Sequence, residues 1–258
     1  MTPARPAPAL PEIPLPAGTR IIADLHLDLA SAEGPRAFLR WLAGETRIPA
    51  LVVLGDLFDV WIGPSQERLP SAPPVLEGLR ELSARGTHIV LVHGNRDFLL
   101  DRSFEARTGV RVLPDGFVGI LPDATRALLI HGDELCTRDR GYQRLKRVVR
   151  SAPVRGLARA MPLSVGAWVA RRMRRASVKA VAEKRPEEKS LQEQACRDLA
   201  SEHRAELVVC GHAHEFRDVK LAGGPRWIVL DAFGGARDAL EVGTAGDVRV
   251  ARASTGIG

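Results

Sequence analysis

Five short apolar runs, each ending in a motif of carboxylate, amide or imidazole side chains, constrain this chain more than anything else in it. Residues 19–23 precede DLHLD, 50–54 precede GDLFD, 88–92 precede HGNRD, 127–130 precede HGDE and 207–210 precede GHAH. Runs of this length, rich in Val, Ile and Leu, read as strands covered on both faces. Helical spacing fills two of the gaps, over 35–43 and 74–85. Strand and helix alternate, which predicts an α/β layered sheet. Three later runs, 227–230, 239–242 and 248–251, are expected to close it as antiparallel strands. In such folds ligands bind beyond the carboxyl ends of strands. All five motifs stand at that end of their runs, and packing alone gives no reason for the repetition.

The stretch 136–206 differs. It has helical spacing and no strand-like run, so it is expected to be a helical cap inserted into a core of 19–135 and 207–258. Between positions 140 and 185 there are 14 Lys and Arg against one acid, Glu183, although the whole chain carries only +6. The basicity is therefore local and marks one surface suited to anions. Within it Leu, Met, Val and Trp168 interleave with Arg, a pattern able to lie on an anionic membrane surface. Only Trp168 and Tyr142 offer stacking there, so nucleic acid is not expected as a partner. Residues 1–18 are Pro-punctuated and lack the apolar core of a signal peptide; a disordered tail is expected. No run approaches the roughly 20 apolar residues of a membrane span. Cys136, Cys196 and Cys210 lack metal-type spacing and suit a reducing, cytoplasmic compartment. Cys136 is read as a packed thiol.

Divalent ions that activate water on phosphorus want mixed oxygen and nitrogen ligands with open positions. Asp24 and His26 stand two apart at a strand end, so their side chains leave one face. Asp56 follows a glycine that lets the backbone pass close to an ion, and its carboxylate has two oxygens to share between two. Asn95 adds a neutral oxygen. His131, His212 and His214 complete two acids, one amide and four imidazoles, an inventory for two ions about 3.5–4 Å apart. Turn preference explains the Gly, Asp and Asn of these motifs. It does not explain why four of the seven histidines stand at the D-x-H, H-G-D and G-H-x-H positions. His88, His93 and His203 are expected to be structural or solvent-facing.

In the order D-x-H, G-D, G-N, H-G-D, G-H-x-H the motifs resemble the calcineurin-like metallophosphoesterase superfamily. The resemblance implies a two-sheet sandwich flanked by helices. It implies one ion on Asp24, His26, Asp56 and His214 and a second on Asp56, Asn95, His131 and His212, with Mn2+ the usual metal. Asp24, Asp56, Asn95, Arg96 and His131 then carry the catalysis. Many members have His after the Asn, able to protonate an alkoxide leaving group. Here Arg96 stands there. It cannot donate a proton near neutral pH, but its fork suits phosphate oxygens. That favours a leaving group needing no proton, such as a phosphate released from a pyrophosphate. The structural alternative is an Arg96–Asp97 pair.

Longer stretches, GDLFDVWIG, GNRDFLL and HGDELCTRDRGYQ, with RMRRAS and Lys184 downstream, resemble the UDP-2,3-diacylglucosamine pyrophosphatases of lipid A biosynthesis. This likeness runs from 19 to about 214 and includes residues that bind no metal. It implies hydrolysis to UMP and 2,3-diacylglucosamine 1-phosphate by a peripheral protein on the inner face of the cytoplasmic membrane. Asn95, Arg96, Asp139, Ser177, Lys184 and His212 would contact the UDP-linked diacylated glucosamine, with Tyr142 and Arg174 near it. Departures are Asp59 for the usual Glu, Val181 for the usual Asn, and GHAHEF without the usual Pro. The alternative is a soluble calcineurin-like phosphoesterase acting on another nucleotide diphosphate or phosphodiester. A non-catalytic scaffold would be expected to have lost ligands. The sequence leaves acyl lengths and oligomeric state open.

Overall fold

The computed structural model describes residues 9–45, 47–166, 168–169, 171–173 and 190–253. Strands β1 (Glu12–Pro14) and β2 (Arg20–Ile22) precede α1 (Glu33–Gly44). Strand β3 (Ala50–Val53) leads to α2 (Ala72–Ala84), and β4 (His88–Val92) leads to α3 (Arg102–Thr108). Strands β5 (Arg111–Leu113), β6 (Phe117–Ile120) and β7 (Arg126–Leu129) follow. Helices α4 (Arg140–Val149), α5 (Ala152–Arg159) and α6 (Glu193–Glu202) come next. The chain closes with β8 (Leu207–Cys210), β9 (Arg217–Lys220), β10 (Arg226–Val229), β11 (Ala239–Val242) and β12 (Val248–Ala251).

The strands form two six-stranded sheets, ordered β12-β11-β2-β3-β4-β5 and β1-β6-β7-β8-β10-β9. Side chains alternate across each, so one run serves two cores. In the first sheet Ile21, Val52 and Val90 are in register and face the second sheet's Leu129, Val209 and Ile228. Their neighbours Ile22, Leu51, Val53 and Leu91 face outward into a core with Phe38 and Trp41 of α1 and Leu79 of α2. On the far side Leu128, Val208 and Trp227 pack under Cys196 and Ala200 of α6. Burial on both faces is why these runs show no polar alternation. Each fully buried Val, Leu or Ile contributes about 1.5–3 kcal/mol. Helix α1 buries Pro35, Phe38, Trp41 and Leu42, one stripe at helical spacing.

Three expectations are corrected. The tail is not structureless up to residue 18: β1 pairs in parallel with β6, Glu12 opposite Val118 and Pro14 opposite Ile120. Proline is tolerated because the strand lies at the sheet edge. The cap does not extend to 206: α6 is a layer of the second sheet's outer core. The run at 227–230 is not a purely antiparallel closing strand. Strand β10 pairs in parallel with β8 and antiparallel with β9.

Candidate metal centre

Strands β2, β3 and β4 run parallel in one sheet, and β7 and β8 run parallel in the other. All five motif loops therefore leave at the carboxyl ends of neighbouring strands. Backbone bonds tie them together: His26 N donates to Asp56 O (2.9 Å) and Asp24 N to Gly55 O (3.2 Å). Asp24, His26, Asp56, His212 and His214 all adopt positive φ, between 46° and 69°. Non-glycine residues rarely do so, and such strain persists where surrounding contacts impose it. The glycines before the site residues are steric necessities. A Cβ on Gly94 would stand 2.0 Å from Asp56 Oδ1, and one on Gly211 would stand 2.2 Å from Asp24 Oδ2.

All seven expected side chains come together. His131 Nε2 lies 3.2 Å from His212 Nδ1, 3.2 Å from Asn95 Oδ1 and 3.9 Å from Asp56 Oδ2. His26 Nδ1 is 3.7 Å from the same Asp56 oxygen, so Asp56 stands between two groups of ligands. His214 Nε2 is 3.5 Å from Asp24 Oδ1 and 3.0 Å from His26 Nε2. Two clusters, Asp24–His26–His214 and Asp24–Asp56–His131, each hold ligand atoms within 4.8 Å of one another.

The donor set fits cations. The Asn95 amide stands 2.7 Å from Asp56 Oδ2 and 3.2 Å from His131 Nε2. Buried Asp24 Oδ1 and His26 Nδ1 lack a hydrogen-bond partner. A positive ion between such atoms satisfies them together. The backbone prepares the candidate ligands: His131 Nδ1 donates to Leu54 O (2.8 Å), which turns Nε2 toward the cluster. Asp24 Oδ2 accepts from His212 N (2.7 Å) and Asp56 Oδ1 from Arg96 N (2.9 Å).

Burial, and then Arg96, depress His26 to about 3. Burial and His131 depress His212 to about 4. Both rings are thus unprotonated near neutrality and ready to coordinate. Burial raises Asp56 to about 7, with Asp97 and Asp24 adding to the rise against His131 and Arg96. Burial opposes charge on His131, yet Asp56 and Asp24 overcome it and lift the ring to about 9.

Arg96 does not pair with Asp97. Its Nη1 donates to Asp59 Oδ1 (2.6 Å), and Nε lies 3.6 Å from Asp56 Oδ2. Asp97 is instead a brace, accepting from Leu57 N and Gly94 N at 2.8 Å each and so linking two ligand loops. Motif reading missed Asp97, although it stands inside GNRD. It also missed Asp133, inside HGDE, which is buried and binds Lys146 Nζ (2.8 Å) and the Tyr142 hydroxyl. That pair fastens α4 beside His131. Asp139 caps α4, accepting from Tyr142 N (3.0 Å). His93 is structural, its Nε2 2.8 Å from Leu100 O. Arg174, Ser177, Val181 and Lys184 lie outside the described residues.

Comparison with known proteins agrees with this arrangement. The calcineurin-like phosphoesterase family profile matches residues 19–216. A UDP-2,3-diacylglucosamine hydrolase of Stutzerimonas stutzeri is 36% identical over 208 residues, 80% of this chain and 86% of that protein. A protein of the same name from Sodalis glossinidius is 35% identical over 229 residues, 88% of this chain and 95% of the relative. Another, from Pseudomonas syringae pv. tomato, is 43% identical over 158 residues, 61% of this chain and 63% of the relative. Five ligand loops converging at the carboxyl ends of the strands of two facing sheets, and a family match across that whole span, place the chain in the calcineurin-like phosphoesterase family.

Proposed function

We propose that this chain hydrolyses the pyrophosphate bond of UDP-2,3-diacylglucosamine, giving UMP and 2,3-diacylglucosamine 1-phosphate. Two divalent ions, Mn2+ in our assignment, would be held by Asp24, His26, Asp56 and His214 and by Asp56, Asn95, His131 and His212. When bound, such ions neutralise phosphoryl oxygens and lower the pKa of water. The observation carrying the reading is Arg96 beside Asp56 on the rim of the cluster. Its guanidinium, half-buried and fixed by Asp59, presents a planar donor set suited to pyrophosphate oxygens. A phosphate leaving group needs no proton, and Arg96 supplies none. The ligand set does not itself select Mn2+, since its imidazoles suit other ions as well; that assignment rests on the family resemblance.

The insertion supports a lipid substrate at a membrane face. Leu145, Val148, Leu157, Val165 and Trp168 are exposed on it, among the exposed Arg144, Arg147 and Arg172. Apolar side chains among cations fit an anionic bilayer surface, here the inner face of the cytoplasmic membrane. No helix among the described residues is long and apolar enough to cross a membrane. The three cysteines are buried thiols. Asp139, Ser177 and Lys184 are assigned to contact the substrate, with Tyr142 and Arg174 near it.

The test is release of UMP from UDP-2,3-diacylglucosamine compared with UDP-sugars lacking acyl chains. The acylated compound should be strongly preferred. Equal turnover would instead indicate a phosphoesterase for another nucleotide diphosphate.

A further inference from the structure

His212 and His214 share one loop and both hold positive φ, 69° and 54°, so the loop's conformation needs outside support. Its far end is Phe216, at the position where the resemblance set out above implies Pro. Proline has no N–H. Phe216 has one, and it donates to Asp231 Oδ1 (2.8 Å). The other carboxylate oxygen, Asp231 Oδ2, accepts from Arg237 N (3.0 Å), and Asp231 N donates to Arg237 O (3.1 Å). The Arg237 guanidinium lies 4.3 Å over the Phe216 ring, a cation–π contact. One carboxylate therefore joins the His212–His214 loop to the segment 231–238.

That segment is anchored in turn. Gly234 N and Ala253 N donate to the two oxygens of buried Asp238, at 2.6 and 2.7 Å. The Phe233 ring meets Phe38 and Trp41 edge-on, at 6.0 and 5.7 Å between centroids. Phe233 N donates to Asp24 O (3.3 Å). The same segment thus touches the backbone of Asp24 and the loop carrying His214. Those two residues bring ligand atoms within 3.5 Å of each other.

We propose that Asp231 is a positioning residue: through Phe216 it fixes the His214 end of the His212–His214 loop against the Asp24 loop and so sets the affinity of the metal position assigned to Asp24, His26, Asp56 and His214. This rests on the two-ion reading above. Asp231 touches neither ion nor substrate in this role. It supplies the bracing that the Phe216 N–H makes available, aided by the stacked Arg237.

The test uses the full chain stripped of metal and titrated with Mn2+ alone, by calorimetry and by the electron spin resonance of free Mn2+. The wild type should bind two ions. Asp231→Ala should weaken one of them about tenfold or more, the scale for removing a group that orients a ligand, and leave the other unchanged. Asp231→Asn keeps an oxygen for the Phe216 N–H and should restore most of the affinity. Arg237→Met, at an exposed position, should give a smaller loss at the same ion. Should Asp231→Ala fail to fold, Arg237→Met and Phe216→Pro decide the matter. Unchanged binding of both ions in these variants would overturn the proposal. So would equal weakening of both ions with a matching drop in melting temperature, since that describes a merely structural residue. A wild type that binds no Mn2+ would overturn the two-ion reading and this proposal with it, an outcome distinct from two ions of normal affinity in Asp231→Ala.

Discussion

The two sides of the candidate metal centre are built differently. Asp24, Asp56 and His131 are wholly buried, and backbone donors and acceptors hold them before any ion arrives. On the other side the His26 side chain is 21% exposed and that of His214 is 42% exposed. These two rings face each other at 3.0 Å on loops that meet solvent. The deep side is prepaid by folding; the outer side is completed by ligands. Affinity, pH response and tolerance to substitution should divide along that line.

The largest effect is expected at the residue that belongs to both sides. Asp56→Ala should lower turnover by 10³-fold or more, at or beyond the roughly 10²–10³ lost with a single transition-state donor. It should also lower bound metal measured by mass spectrometry of the metal content. Normal turnover in this variant would remove the shared-carboxylate geometry altogether.

Next come the two halves taken separately. His214→Ala should lose activity that millimolar Mn2+ restores, because water can fill an exposed coordination position. His131→Ala should lose about as much and not recover, because its space is closed and its Nδ1 contact to Leu54 O goes with it. Equal rescue of both would erase the distinction between deep and outer sides.

Protonation sharpens it further. Asp56 stands at about 7 when folded against an ordinary 3.8. An acid raised on folding favours the fold while protonated, so that contribution is full below 3.8 and lost as pH rises through about 7. His131, raised to about 9 from 6.5, favours the metal-free fold below 6.5, and this is lost as pH rises through about 9. His26 and His212, depressed from 6.5, act the other way below 6.5, so it is between about 6.5 and 9 that the metal-free protein should melt at lower temperature as pH climbs. Metal binding must displace these protons, so affinity should rise over the same window. His26 and His212, at about 3 and 4, have none to release near neutrality. Calorimetry in buffers of different ionisation enthalpy measures the proton release, and none at pH 7 would contradict this assignment.

The legibility of the sequence follows the same physics. The residues of the candidate metal centre were readable as a set because each follows a strand buried on both faces, which writes an unbroken apolar run before a polar turn. Strands β1 and β9 were not readable. Each is three or four residues at a sheet edge, and β9 is exposed throughout, with no alternation to see. The pairing of β10 was misread because a parallel partner from a distant strand leaves no local mark. The same holds for Asp97, Asp59 and Asp231. Each has a partner, a backbone N–H or a guanidinium, 15 to 40 residues away in sequence, a contact that only the fold creates. Ala158, packed against the first sheet's outer core, shows that part of the cap joins the core, which its basic composition concealed.

The smallest effect concerns Arg96, whose aim depends on Asp59. The pair is half-buried, with 29% and 13% of the side chains exposed, so water screens it in part. A hydrogen bond between charged groups contributes about 1.5–3 kcal/mol when fully formed, and the exposure argues for the low end. Asp59→Asn keeps an oxygen acceptor and removes the charge, so the guanidinium should stay near its place but hold it less firmly. Turnover should fall by about tenfold, with KM changed less than kcat, since an arginine free to wander still attracts phosphate but meets the transition state late. Combined with Arg96→Met, the second substitution should add nothing, because its effect runs through a side chain already gone. Additive losses in the double variant would show that Asp59 serves the loop backbone rather than Arg96. The outer side alone would then supply the selectivity for a pyrophosphate.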